Sequence, residues 1–273
     1  MAERHHLVQY KPSFALNRRI TERTEHHGFD FVRSMMKLRG CGGPRKYRNH
    51  NLEPFALMAG LIAVTIRIRL FASVAVLTLP PLIAAHMAVT IGSSSGGRFG
   101  VNIVSGWPAA EYERMGPWPD RAHVARRYDY CGEYVQAMQE AWSTGRNIAA
   151  LVLVVVIADE IDAAAIARWE QHKTGTDHQA FTWRRAQTSA EVKAQTDSTA
   201  ERFLRPENQL LTHMPTLVGS YATIAGLLDT IGAMPGVCGG IQSFDGFERG
   251  VDRFGTRIQP CMQSRAGVVA GVS

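Results

Sequence analysis

Asn102 is an amide in a place where its neighbours are hydrocarbon. It falls within Phe99, Gly100, Val101, Asn102, Ile103 and Val104, strand-forming residues preceded by the small, helix-breaking Ser93 to Gly97 and followed by Trp107. A buried amide needs partners for its donors and its acceptor, so Asn102 either braces neighbouring backbone or faces a ligand. Gly100 marks a point where another group comes close to the strand backbone. The second chemical feature is a run of cations: Arg33, Lys37, Arg39, Arg45, Lys46 and Arg48, with no acid between Phe31 and Leu52. Such a run suits a solvated loop, a phosphate-bearing cofactor or nucleic acid. Nucleic acid is the weakest of the three, because no aromatic platform or helical basic stripe goes with it.

The metal-ligand types are scattered. Cys41, Cys131, Cys238 and Cys261 form no CxxC pair, and the ten histidines, His5-His6 and His26-His27 among them, include no HExxH. This pattern gives neither a zinc site nor a disulfide framework, and it suits a reducing, cytoplasmic compartment. The first residues, MAERHHLVQY, hold no apolar core of signal-peptide length. With 273 residues, 45% of them hydrophobic, and a net charge of +6, the chain has enough apolar material for a full-sized core.

The elements that must position these residues alternate. Pro12 and Ser13 open a helix that stops at Gly28, and Phe29 to Met35 reads as a strand. Asn51 is the expected N-cap of a helix carrying Phe55, Met58, Ala59 and Ile62 on one face. Leu70 to Ile91 lacks formal charge and is long enough to cross a bilayer, but Pro80 and Pro81 interrupt it. A strand over Ile68 to Leu77 followed by a helix with Pro81 in its first turn accounts for the same residues without a membrane. Next come the Phe99 strand and a loop containing Pro108, Pro117 and Pro119. A helix over His123 to Trp142 follows, with Val124, Tyr128, Cys131, Val135, Met138 and Trp142 recurring at spacings of three and four.

The unbroken apolar run Ile148 to Ala158 suits a strand buried on both faces, and Asp159, Glu160 and Asp162 favour a helix start behind it. Gln187 to Thr212 reads as a polar surface excursion. Ser220 is expected to cap a helix bearing Ile224, Leu227, Leu228 and Ile231, and Gly239 to Phe244 is a poor strand candidate. A last helix starts at Asp245, with Phe247, Val251, Phe254 and Ile258 on one face. Strands alternating with helices over short connections predict an α/β fold with a parallel sheet. The expectation is a single domain over 1–265 with a frayed tail at 266–273.

RSMMKLRG, LEPFALMAGLIAVT, LFASVAVLTLPP, SGGRFGVNIVSGW, RRYDYCGEYVQ, VVVIADEIDAAA, TLVGSYATIAGLLD and RFGTRIQPCMQ lie along the chain in that order. In those blocks the chain resembles the luciferase-like flavin monooxygenases, and within them the branch that cleaves pyrimidines. The resemblance runs from about Gln9 to Arg265. It implies a TIM-barrel-like (β/α)8 enzyme that takes reduced FMN from a separate NADH-dependent flavin reductase and uses it with O2 to open the ring of uracil or thymine. It implies flavin contacts at Met36, Lys37, Asn102, Glu111, Arg127 and Tyr128, catalytic roles for Asn102, Lys37 and Ser73, and a substrate-pocket wall at Trp107. No nucleic-acid or membrane partner is implied, and homo-oligomer formation stays open.

The departures from the family are equally specific. Its first strand, ahead of the residues matching Gln9 to Ile20, has no counterpart. The segment that carries two further strands and an AGQS-type phosphate loop is reduced to Asn147 to Ala150. GWPAAEY (Gly106 to Tyr112) stands in place of GWQKPEY, and the last strand is weakened to CGGIQSF. About five of eight barrel strands remain by this count. The two readings carried forward are an active FMN-dependent pyrimidine monooxygenase and a non-catalytic remnant of that barrel.

Overall fold

The computed structural model describes residues 11–40, 49–106, 109–113, 116, 122–142, 151–191, 204 and 214–268. Within them the chain forms two three-stranded parallel sheets. The first has strands β1 (Phe31–Ser34), β2 (Arg69–Ala75) and β3 (Phe99–Val104) in the order β1-β2-β3. The second has β4 (Leu151–Asp159), β5 (Thr216–Ser220) and β6 (Gly239–Phe244) in the order β5-β4-β6.

Helices α1 (Phe14–His26), α2 (Pro54–Ile62), α3 (Pro81–Ser94), α4 (Ala109–Tyr112) and α5 (Ala122–Trp142) go with the first half. Helices α6 (Asp162–Thr174), α7 (His178–Glu191), α8 (Tyr221–Gly232) and α9 (Phe247–Arg253) go with the second, and α9 continues as a π-helical turn over Phe254–Ile258. The stretch Leu70 to Ile91 is thus strand, turn and helix, and no helix among the described residues is long and apolar enough to cross a membrane.

The period-two alternation of the strands builds two faces. Leu70, Ala72 and Val74 of β2 point outward and pack with Phe55, Leu61 and Met138 in one core. Val154 and Val156 of β4 do the same with Ile224, Phe254 and Ile258 in the other. Each of these side chains is almost wholly removed from water, about 1.5–3 kcal/mol apiece for all but the small Ala72. The alternate residues, Phe71 and Ser73 on β2 and Leu153, Val155 and Ile157 on β4, face a shared interior instead.

The two halves are tied where the last unit meets the first. Arg19 pairs with Glu248 at 3.0 Å and His27 with Asp252 at 3.1 Å, linking α1 to α9, while Phe29 and Phe254 stack with ring centres 4.7 Å apart. Behind them Arg265 reaches the Asp30 carboxylate at 2.8 Å. Among the described residues β1, β3, β5 and β6 are each edge strands with one neighbour.

Several sequence expectations shift. The α2 cap is Glu53, whose carboxylate accepts from Phe55 N at 3.1 Å and Ala56 N at 2.7 Å with Pro54 at the first helical position, so Asn51 lies outside the cap. Gly239–Phe244 is a full strand, bonded to the whole of Leu151–Val156, and Thr216–Ser220 is a strand that the sequence reading passed over. Of the α5 stripe Met138 is buried and Cys131 and Trp142 pack against the same core, joined by Tyr134 from outside the predicted stripe, while Tyr128 is exposed. The first residues assigned to the polar excursion, Gln187 to Glu191, are helical. Trp107 and the residues from Cys41 to Arg48 lie outside the described set.

At the end of the sheet where the strands enter, Glu25 of α1 accepts hydrogen bonds from three successive amides: Ile66 N at 3.0 Å, Arg67 N at 2.5 Å and Ile68 N at 2.8 Å. Partial burial pushes its carboxyl up, but these N–H groups and the Arg67 charge outweigh that and hold it below the usual glutamate value. The native state therefore favours the carboxylate. Its contribution is complete above about pH 4.5 and fades as pH falls through the lowered value. We expect Glu25→Gln to destabilise by about 1–2 kcal/mol at pH 7, solvent access keeping the cost small, with the gap to wild type closing at low pH. Urea midpoints at pH 7 and pH 3 check this; an equal gap at both would contradict it.

Candidate active site

β1, β2 and β3 deliver their outgoing ends to one side of a cleft of about 1650 Å3 that runs between the two sheets. Register sets what faces it. Arg33 pairs with Phe71 and Phe71 with Gly100, forming one inward row; Ser73 pairs with Asn102 in the next. Phe71 fills the space a side chain at position 100 would need, since a Cβ there would lie 2.4 Å from the ring. Gly100 is the glycine that this close approach requires. Above that row the Asn102 amide donates to Ser73 Oγ at 2.9 Å, and Arg33 Nη1 donates to the same oxygen at 3.3 Å. Asn102 thus braces a side chain and not neighbouring backbone, and its remaining N–H and its Oδ1 have no protein partner among the described residues.

Just past β1, Lys37 forms an ion pair with Glu111 of α4. The side chains are 12% and 4% exposed, so the pair is largely out of water. The other Glu111 oxygen accepts from Leu38 N at 2.5 Å, and Arg39 Nη1 reaches Ala110 O at 3.3 Å. Three successive residues after β1 are therefore stitched to α4. Gly106 turns the chain out of β3 with φ +69° and packs against Tyr112, whose phenol is pushed well above its usual value by burial and by the Glu111 charge. Removing one member of a buried pair leaves the other charge uncompensated. We expect Glu111→Gln to cost about 3–5 kcal/mol, read as a fall in Tm, and a variant as stable as wild type would show the pair to be dispensable.

Five of the residues singled out from the sequence line the cleft: Met36, Lys37, Ser73, Glu111 and Tyr128. Asn102 joins them through Ser73. Arg127 lies behind, its guanidinium 4.9 Å from the Tyr128 ring centre and its Nε buried without a hydrogen-bond partner among the described residues. Tyr128 is exposed, which suits a ligand contact better than the packing role its place in the helix stripe suggests. Cys131 also borders the cleft, but burial raises its thiol despite the Arg127 charge, leaving it a poor nucleophile.

The opposite wall carries groups that the sequence did not flag. Arg168 of α6 bridges Asp159 at 3.1 Å and Asp245 at 3.2 Å, the residues that end β4 and follow β6, and His172 Nε2 meets Asp245 at 3.2 Å. Burial pushes the Asp245 carboxyl up, but the His172 hydrogen bond and the Arg168 charge hold it below the usual aspartate range. Trp169 and Trp183 stand beside this network, and Arg39 lies over the Trp183 ring at 5.6 Å, so α7 reaches across to the β1 loop. The helical spacing of Arg168 and His172 was visible in the chain; their partners lie on other strands and were not.

Parallel strands wrapped by helices, with polar groups gathered at their outgoing ends around a deep cleft, define an α/β-barrel enzyme whose barrel is incomplete. Residues 1–150 match the sequence model described as luciferase-like monooxygenase. The pyrimidine monooxygenase RutA of Bradyrhizobium sp. strain BTAi1 is 43% identical over 332 aligned positions, covering 94% of this chain and 92% of that protein. The enzyme of the same name from Escherichia coli O81 (strain ED1a) is 39% identical over 339, covering 97% and 89%. Both alignments are longer than the 273 residues of this chain, so the relatives contain internal sequence that it lacks.

Among solved structures, riboflavin lyase (RcaE), determined with modified FMN and riboflavin, superposes with a TM-score of 0.76 at 14% identity, covering 96% of this chain and 87% of that one. DmoA from Hyphomicrobium sulfonivorans gives 0.71 at 15% identity, covering 93% and 82%. The chain belongs to the luciferase-like monooxygenase family.

Proposed function

We propose that this protein is an FMN-dependent monooxygenase that opens the ring of a uracil-type pyrimidine with O2. The observation that carries this reading is identity of about 40% to curated pyrimidine monooxygenases along nearly the whole chain. It also disfavours the non-catalytic alternative. The site geometry supports it: a flavin ring presents carbonyl and N–H edges, and the Asn102 carbonyl and second N–H, which no described residue engages, match such a group. The cleft has ample room for a cofactor and a small substrate together.

Bound FMN supplies the activation of dioxygen. The chain's own residues hold and orient. Ser73 fixes the Asn102 amide plane by accepting one of its N–H bonds, so the second N–H and Oδ1 are aimed before any ligand arrives. Glu111 pins the Lys37 ammonium and the Leu38 amide, fixing the β1 loop where Met36 borders the cleft. The Lys37 charge offsets negative charge developing on an oxygen beside it. Leu153, Val155 and Ile157 give the opposite wall an apolar surface that keeps water from the ring. Reduced flavin is supplied by a separate NADH-dependent reductase.

The test is direct. Purified chain, FMN, NADH, a flavin reductase and uracil are incubated under 18O2. Loss of uracil absorbance with one labelled oxygen in an opened-ring product is expected; unchanged uracil would overturn the reading.

A further inference from the structure

We propose that the Tyr112 phenol donates a hydrogen bond to a ring carbonyl oxygen of a heterocycle bound in the cleft. The inference rests on the reading above for the kind of ring, since a uracil-type pyrimidine and a flavin both carry such oxygens. Tyr112 ends α4, next to Glu111 in the chain, and is 3% exposed. Its hydroxyl end lies against the turn out of β3. A Cβ at Gly106 would lie 3.2 Å from its Cζ and 3.3 Å from its hydroxyl oxygen. Ser105, Gly106, Glu111 and Tyr112 all border the cleft. Glu111 is tied to Lys37 and to Leu38 N, so the residue beside it is fixed in place before any ligand arrives.

A buried tyrosine hydroxyl ordinarily finds a partner, because the water it gives up must be replaced. Tyr134 shows the usual solution. It is equally buried, and its hydroxyl donates to Leu79 O at 2.9 Å. The Tyr112 hydroxyl has no such partner among the described residues. The acid beside it is already engaged, with one Glu111 oxygen on Lys37 Nζ and the other on Leu38 N. A ligand in the cleft is the partner that this arrangement leaves. Its polarity follows from the phenol. Burial, and then the Glu111 charge, hold the phenol above its ordinary value, so it keeps its proton at neutral pH and acts as a donor. A single neutral O–H suits a neutral ring oxygen. An anion calls for cations, and Lys37 of this wall is already paired with Glu111.

The experiment titrates FMN, uracil and 2,4-dithiouracil against the full chain and against Tyr112→Phe, a change that keeps the ring and removes the O–H. Flavin fluorescence reports FMN, and tryptophan fluorescence reports the pyrimidines. One O–H serves one oxygen, so Tyr112→Phe is expected to lose about two- to tenfold in affinity for FMN or for uracil, not for both. Loss for FMN alone places the phenol on the flavin. Loss for uracil, absent for the dithio analogue whose sulfurs accept poorly, places it on the pyrimidine. Unchanged affinity for both ligands, an equal loss for both, or the same loss for uracil and its dithio analogue would overturn the inference. Folding of Tyr112→Phe is checked by circular dichroism. Should it fail, Tyr112 is replaced by 3-fluorotyrosine, which keeps the hydroxyl, and its 19F resonance should move when the accepting ligand is added. A resonance that neither ligand moves overturns the inference as well. A turnover assay separates it from the reading it rests on. A selective loss of affinity with no ring opened by either protein would sink the ring-opening reading and leave the phenol contact standing. Ring opening with unchanged affinities in Tyr112→Phe would do the reverse.

Discussion

Asn102→Ala is expected to lose ring opening by about 10²–10³-fold in kcat while keeping its fold. The magnitude is that of removing one aimed donor from a site where charge develops. The fold survives because Asn102 makes one side-chain hydrogen bond within the described protein, to Ser73, and such a bond contributes about 0.5–1.5 kcal/mol. Its strand is held by the β2–β3 ladder and by Val101 and Ile103 packing on the first core, none of which involves the amide. Tm should therefore move by no more than about 4 °C. Ser73→Ala is the informative companion. It leaves the Asn102 amide in place but unfixed, so a smaller loss in kcat is expected, with Asn102→Ala adding less than its single effect in the double variant. Full turnover in Asn102→Ala would remove the residue from the mechanism.

The strands were legible wherever burial on both faces writes an unbroken apolar run. Leu70 to Leu77 and Leu151 to Ala158 are of this kind, and both are central strands. β5 was missed because Thr216–Ser220 is short, contains Gly219 and runs straight into α8. β6 looked weak because its glycines and Gln242 carry little apolar surface; its partner β4 supplies the ladder and the packing. Site residues close in the fold but far apart in the chain left no spacing to read. Lys37 and Glu111 are one such pair, and Arg168, Asp159 and Asp245 are another group. Arg33 shows the limit most clearly. In the sequence it heads a basic run from within the Phe29 to Met35 strand, with nothing to say which face it takes; strand alternation turns it into the cleft beside Ser73. Of the residues that the family resemblance pointed to, Met36, Lys37, Ser73, Glu111 and Tyr128 border one cleft, Asn102 is tied to it through Ser73, Arg127 stands behind Tyr128, and Trp107 lies outside the described set.

FMN itself is expected to bind this chain about a thousandfold more weakly than it binds the full-length relatives. A flavin phosphate needs backbone N–H groups or cations gathered around it. In the family a loop within the internal segment supplies them, and here Arg146 and Leu151 are separated only by Asn147 to Ala150. Losing two or three charge-assisted hydrogen bonds, at about 1.5–3 kcal/mol each, weakens binding by roughly two to six orders of magnitude before compensation. Among the described residues Arg127 offers a single buried N–H where the phosphate dianion accepts many, and the Arg45 to Arg48 cluster, which could substitute if the shortened barrel brought it near, lies outside them. Weak binding is compatible with turnover when reduced flavin is supplied at high concentration, so affinity and activity must be measured separately. Flavin fluorescence is titrated against the purified chain and, in parallel, against the Bradyrhizobium relative. A dissociation constant well above micromolar for this chain and far below it for the relative is the expected pair of results. Sub-micromolar binding by a monomer of this chain would mean that its shortened barrel gathers a phosphate site from other residues.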